Sequence, residues 1–536
     1  MLALVGCGAA ADPRLAPRGA GARVEVRPLS PDGAGSTVAL AVVGGRRLAF
    51  AADADDWRVH AFDLDRWVEV SVTALPGTPA QIAISRDGSV FVALRDRGVV
   101  ARHRVRDADG VLDLVEELPA AAEPVALALG DEDRTLFVAS GWGAELAVYD
   151  ATRSAVRARL ALAREPRAVV AAPDGGAFIA HANDEPLTRI TFEDGMPRAS
   201  AAGERRAGQG FAVVRADEKI FAPQVMADPE SAGTYYGGPT MTPYIAVVDT
   251  RTPPPPPAPR VATDERGRAI RPTALPTFRA NGARLGPPRT RCLLPRAAAV
   301  RRGPEAGLLV ACMGDDVLIE HVGDTPAATS VAWRSRPLPG GVTGLAVDPA
   351  TGGAIAWAQD ARALVFDPLD PEQPNVTVAA SGPSRLPADV ALGRRIFHAA
   401  SDTRLSADGR ACASCHPDGR DDGRTWSTPE GPRQTMMLAG RLADTAPYGW
   451  ARHAGTLQGY FSDTIARLGG AGLPPAEAAA LERYLLSLAV PAAHPTASDR
   501  VRRGRAIFES AEAGCARCLV EPIRASVASR SARKVA

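Results

Sequence analysis

The stretch Pro79-Ala-Gln-Ile-Ala-Ile-Ser-Arg-Asp-Gly-Ser-Val-Phe-Val-Ala93 is an apolar run, an Asp-Gly turn and a second apolar run. That pattern is two antiparallel strands joined tightly. It recurs at Pro124-Val-Ala-Leu-Ala-Leu-Gly-Asp-Glu-Asp-Arg-Thr-Leu-Phe-Val-Ala139 and at Pro166-Arg-Ala-Val-Val-Ala-Ala-Pro-Asp-Gly-Gly-Ala-Phe-Ile-Ala180. Successive starts are about 42–45 residues apart, the period of a propeller blade. Looser copies occur at Val38-Ala-Leu-Ala-Val-Val with Arg47-Leu-Ala-Phe-Ala-Ala, at Gly210-Phe-Ala-Val-Val, at Ala297-Ala-Ala-Val with Gly307-Leu-Leu-Val-Ala-Cys, and at Gly341-Val-Thr-Gly-Leu-Ala-Val. Seven units are therefore predicted over residues 36–370, an all-β seven-bladed propeller. The fifth is interrupted at 226–288, where Pro253 to Pro257 and many polar residues indicate a long surface insertion.

These units resemble the YVTN-type seven-bladed propellers of exported bacterial proteins. Cys292 and Cys312 flank two strands of the sixth unit. An antiparallel pair brings them within disulfide reach, and an exported location permits the bond; the alternative is two buried thiols. His60, His103, His181 and His321 fall on separate blades without ligand spacing and read as structural. The propeller is expected to act as a docking or binding platform whose ligand the sequence does not name.

Composition removes several function classes. The 536 residues are too many for one small domain, and 46% hydrophobic content is ample for a core. The 62 Lys+Arg balance 61 Asp+Glu, which argues against a nucleic-acid binder or a polybasic membrane protein. Lys219 and Lys534 are the only lysines. No run of about 18 apolar residues is present, so no membrane-spanning helix is expected. The start Met1-Leu-Ala-Leu-Val-Gly-Cys7 resembles a bacterial lipoprotein signal, with Cys7 as the lipidated residue and 1–35 as signal remnant and linker. Membrane contact is expected only through that anchor, at the periplasm or cell surface.

Cys412-Ala-Ser-Cys415-His416 carries the chemistry. Two thiols on one helical turn can form thioethers with the two haem vinyl groups, and the next histidine can meet the iron as proximal ligand. A zinc site needs further ligands near by, and a thioredoxin-like pair does not need the histidine. One covalent haem c is therefore expected, and its attachment outside the cytoplasm agrees with export. Ala388-Asp-Val-Ala-Leu-Gly-Arg-Arg-Ile-Phe397 and Pro475-Ala-Glu-Ala-Ala-Ala-Leu-Glu-Arg-Tyr-Leu-Leu-Ser-Leu488 are predicted amphipathic helices, so 386–490 reads as an all-α cytochrome c domain.

The order Leu392-Gly-Arg-Arg-Ile-Phe, Arg404-Leu-Ser-Ala-Asp-Gly, Cys412-Ala-Ser-Cys-His, Arg433-Gln-Thr-Met-Met-Leu resembles the first haem domain of the di-haem cytochrome c peroxidase and MauG family. The resemblance implies electron transfer or peroxidase-like chemistry, with a redox protein or a small oxidant as partner. It also implies crossed first and last helices, and a tryptophan, here Trp450, near the route between haems; core packing is the alternative for Trp450. The loop from Pro417 to Pro432 holds neither the family's histidine nor a methionine. The candidate sixth ligands are then Met437, followed by Met436, His453 and His398. Arg420 and Arg424 are candidates for the haem propionates or for a solvated loop.

A second unit, 496–536, begins in the same way. Arg502-Arg-Gly-Arg-Ala-Ile-Phe508 repeats the entry helix, and Cys515-Ala-Arg-Cys518 supplies two thiols. Leu519 stands where the proximal histidine belongs, so this second attachment is degenerate, and a truncated or frameshifted reading frame is expected. Three functions follow: an electron-transfer cytochrome with a docking propeller, a peroxidase or MauG-like oxidoreductase, or a propeller interaction protein with a vestigial haem domain.

Overall fold

The computed structural model describes residues 24–29, 33–183, 185–202, 208–227, 241–251, 292–302, 306–322, 334–428, 431–450, 453–490 and 499–518. Cys7 and Leu519 lie outside them. The chain divides into two compact units, Met1–Val490 and Pro491–Ala536.

Seven antiparallel sheets follow one another in the first unit, within residues 26–74, 79–119, 124–161, 166–201, 209–249, 295–337 and 342–379. They are the seven blades of a propeller. The apolar runs are continuous because the central strands are buried on both faces: every residue of Ser89–Leu94, Thr135–Ser140 and Gly307–Cys312 is buried. Outer strands such as Val68–Ala74 are largely open to solvent. Phe91, Phe137 and Phe178 repeat at equivalent second-strand positions, each 0% exposed. Burying each contributes roughly 1.5–3 kcal/mol to wedging adjacent blades together.

Two boundaries differ from those expected. Val26–Pro28 adds a strand to the channel-side edge of the first blade, and Ala34 and Ser36 bridge to Ala128 and Ile82 of the third and second blades. The segment expected to be linker up to residue 35 is thus partly built into the channel. Its glycines are needed there: a Cβ on Gly33 would lie 2.3 Å from the Leu129 carbonyl oxygen. Within 226–288, Met241–Asp249 is not insertion but a strand paired along its whole length with Lys219–Ala227. Residues 228–240 and 252–291 lie outside the described residues.

Several innermost strands open on a proline followed by a bulge. The pairing skips from Pro124 to Ala126, from Pro166 to Ala168 and from Pro295 to Ala297. Proline lacks the N–H that a ladder needs and is tolerated at a strand's first residue. The bulge that follows re-aims the extra side chain. In the fourth and sixth blades that residue is Arg167 and Arg296.

Helices α1 (Ala388–His398), α2 (Cys412–Cys415), α3 (Leu457–Arg467) and α4 (Pro475–Ser487) complete the first unit. Helices α1 and α4 pack closely at Gly393, where a Cβ would lie 2.1 Å from the Ala480 carbonyl oxygen. Ile396, Phe397, Leu481, Tyr484 and Leu485 fill the core around that contact. In the second unit, α5 (Asp499–Glu509) exposes Val501, Ile507 and Phe508, and a 3-10 turn spans Cys515–Cys518.

Candidate functional site

Cys412 and Cys415 sit at the two ends of α2 as free, half-buried thiols. The turn is fixed from both sides. The Ser414 hydroxyl accepts from the Ala411 N–H, and the Ser414 carbonyl accepts from Gln209 Nε2 of the fifth blade at 2.9 Å. His416 follows as the helix cap, its Nδ1 3.2 Å from the Arg420 carbonyl oxygen. A ring that donates from Nδ1 keeps the Nε2 lone pair for a metal.

Burial dominates the protonation of this turn. It pushes the thiols up to about 11 for Cys412 and about 12 for Cys415. It pushes His416 down to about 4, against the opposing backbone contacts of Arg420 and Met436. A thiol–disulfide exchange pair is served by a lowered thiol pKa, the opposite of the direction that burial gives here. Among the described residues no three His, Cys, Asp or Glu side chains converge on one ion. Zinc would need that convergence; a thioether haem needs two thiols on a turn and one imidazole, which this donor set provides.

The stretch from α1 through the loop after His416 is seated on one face of the propeller, and every blade contributes a contact to it. Asp418 lies at the centre. Its φ of 51° places it in the left-handed region. Its carboxylate is 3.1 Å from Arg167, 3.3 Å from Arg296 and 3.7 Å from Arg95, of the fourth, sixth and second blades. Burial alone would raise the Asp418 pKa, but Arg167, Arg296 and Arg95 outweigh it and hold the carboxyl far below its usual range. Arg420 is 2.8 Å from Glu123 of the third blade and 2.8 Å from Glu165 of the fourth. Burial likewise opposes ionisation of Glu123, yet Arg167, Arg95 and Arg420 bring it down to about 2. Arg394 of α1 pairs with Asp55 at 2.7 Å and Asp360 at 2.6 Å, from the first and seventh blades. Gln209 supplies the fifth.

The predicted site residues are distributed unevenly around this seat. The Arg420 guanidinium is held by two propeller carboxylates, Glu123 and Glu165, with the Trp142 ring 5.2 Å from it, and it does not lie in a solvated loop. Arg424 is 3% exposed and acts electrostatically on both Cys415 and Asp422. Met436 is 41% exposed, while Met437 is half-buried. The segment that carries them is tied to the loop after His416 by Thr435 N–H to Arg424 O and Leu438 N–H to Gly419 O. His453 is an exposed residue facing Asp463 at 3.2 Å. His398 is buried in α1 with Nδ1 on the Arg394 carbonyl, and burial lowers it to about 3. Trp450 is 54% exposed and is not core; Arg433 stands over its ring. The disulfide Cys292–Cys312 is formed, with Cα atoms 5.0 Å apart. Cys515 is an exposed free thiol. His60, His103 and His181 are buried in separate blades.

Arg95, Glu123, Glu165, Arg167 and Arg296 had not been singled out from the sequence. The signals were there. Pro-Arg-Ala opens innermost strands at 166–168 and 295–297 and recurs at 197–199, and Glu-Pro stands at 123–124 and 165–166 and recurs at 185–186 and 521–522.

No family model matches the sequence, and no curated protein matches it. Among solved structures, the hydrazine synthase of Kuenenia stuttgartiensis is 12% identical with a TM-score of 0.45, covering 67% of this chain and 100% of that one. The dihydro-heme d1 dehydrogenase NirN in complex with DHE is 15% identical, TM-score 0.37, covering 64% of each chain. A streptogramin B lyase is 10% identical, TM-score 0.39, covering 63% of this chain and 95% of that one. Likenesses this distant carry no argument about function. The propeller assignment rests on the seven sheets themselves.

Proposed function

We propose that this chain is a haem c-binding electron-transfer protein of the cell envelope, in which the propeller seats the haem-bearing segment. The observation that carries the reading is the turn Cys412-Ala-Ser-Cys415-His416, with unbonded thiols at both ends of α2 and an imidazole whose Nδ1 faces the Arg420 carbonyl. When bound, a haem supplies a one-electron iron couple at this turn. Cys412 and Cys415 would tether it, His416 Nε2 would face the iron, and Arg424 keeps the propionate role. Met437 is the first candidate on the opposite side. The Cys292–Cys312 disulfide supports an oxidising compartment, and tethering through Cys7 belongs to the same reading. A redox partner would dock away from the face that the haem segment already covers.

The test is to express the full chain in a periplasm that has haem-attachment machinery. Haem should stay with the polypeptide on a denaturing gel and give a two-thioether haemochrome spectrum. C412A and C415A should each remove one thioether, and together they should abolish retention. Folded protein without haem under those conditions overturns the reading. A high-spin ferric form that consumes peroxide would replace electron transfer with the peroxidase-like reading.

A further inference from the structure

A short relay joins the propeller to the imidazole. His416 Nδ1 is 3.2 Å from the Arg420 carbonyl oxygen. The Arg420 backbone is fixed in turn, its N–H donating to Pro417 O at 2.9 Å. Its side chain donates from Nη1 to both Glu165 oxygens, at 3.0 and 2.8 Å, and lies 2.8 Å from Glu123. Both glutamates precede a proline in left-handed backbone, φ 64° for Glu123 and 52° for Glu165. Such a conformation costs a non-glycine residue of order 1–3 kcal/mol and persists where the surroundings over-determine it. Here two such corners, on adjacent blades, aim at one guanidinium.

We propose that Glu123 and Glu165 are positioning residues for the His416 imidazole, acting through Arg420, so that the propeller sets the donor strength of that ligand. The proposal rests on the haem c reading above. A firm Nδ1–H···O=C bond gives the ring imidazolate character, makes it a stronger donor and favours oxidised iron. Loosening Arg420 weakens that bond and makes reduction easier.

The test is a redox titration of the full chain, carrying haem, with four variants. E165Q and E123Q remove a negative charge. R420K keeps the charge but replaces the planar guanidinium Nη1 that meets both glutamates with a shorter, more flexible ammonium. D55N weakens the seat at Arg394 without touching the relay. Positioning predicts that E165Q, E123Q and R420K all favour reduction, each by about threefold in the equilibrium constant with a fixed mediator, or about 30 mV for one electron. D55N should leave that constant unchanged while lowering the melting temperature. A shift in the glutamate variants with none in R420K means through-space charge alone and overturns the proposal. So does an equal shift in D55N, or no shift in any variant. If R420K fails to fold, the iron–histidine vibration in E165Q and E123Q decides: unchanged from wild type, it overturns the proposal. Wild-type protein without haem would overturn the haem reading itself, a failure distinguishable from these.

Discussion

Asp418 and Arg167 meet at 3.1 Å, one from the loop after the candidate haem turn and the other from a bulge in the fourth blade. The pair stands in a cluster where Arg95, Arg167 and Arg296 face the Asp418 carboxylate while Glu123 and Glu165 also meet Arg167, so Asp418 supplies one of the cluster's three neutralising charges. Removing one partner of an enclosed pair leaves the others uncompensated, at roughly 3–5 kcal/mol. Asp418→Asn should therefore cost several kcal/mol in denaturant unfolding. A loss under about 1 kcal/mol would show that solvent screens the cluster.

Acid should undo the same seat. Against burial, Arg167, Arg95 and Arg420 hold folded Glu123 at about 2, compared with 4.5 for the carboxyl in an unfolded chain. A carboxyl depressed by folding stabilises the native state above its unfolded pKa, and that stability is lost as pH falls through the folded one. Stability should be flat down to about pH 4.5 and then drop by roughly 3 kcal/mol toward pH 2. Asp418 acts in the same direction further down. In Glu123→Gln the pH 2–4.5 slope should be shallower than in wild type; an equal slope would remove Glu123 from the account.

The blades were legible because each must bury a central strand on both faces, which writes Val-Phe-Val, Leu-Phe-Val and Ala-Phe-Ile at a regular period. The Cys412–His416 turn was legible because its pattern is local, confined to five consecutive residues. The seat was not. Arg167 and Arg296 become face residues only because a bulge follows Pro166 and Pro295, and Arg420 finds Glu165 across 255 residues of chain. Spacing in sequence does not encode such a meeting. The strand Met241–Asp249 was hidden for another reason: Pro243 breaks its apolar pattern, and its partner lies across residues 228–240.

The Cys292–Cys312 bond closes a loop of sequence separation 20. Restricting an unfolded loop of that size contributes on the order of 3 kcal/mol. The double variant C292A/C312A should be less stable by that amount in non-reducing buffer, and reductant should lower the melting temperature of wild type but not of the variant. Equal sensitivity of both proteins to reductant would mean that the bond does not contribute.

Gly393 offers the sharpest test of the helical core. Its Cα is where α1 meets the backbone of α4, and a methyl group there would meet the Ala480 carbonyl carbon at 2.7 Å and Tyr484 Cβ at 2.7 Å. With the Ala480 carbonyl oxygen at 2.1 Å, two of the three close atoms are backbone, so no side-chain rotation relieves the clash and the helices must separate. Glycine inside a helix is otherwise unfavourable by about 1 kcal/mol relative to alanine, so an unconstrained site would gain stability from Gly393→Ala. Overpacking of a fixed contact costs about 1–3 kcal/mol, and the net change should be destabilising. Urea unfolding followed at Tyr484 and the helical signal would measure it. A variant more stable than wild type would mean that α1 and α4 do not approach as closely as Gly393 and Ala480 indicate.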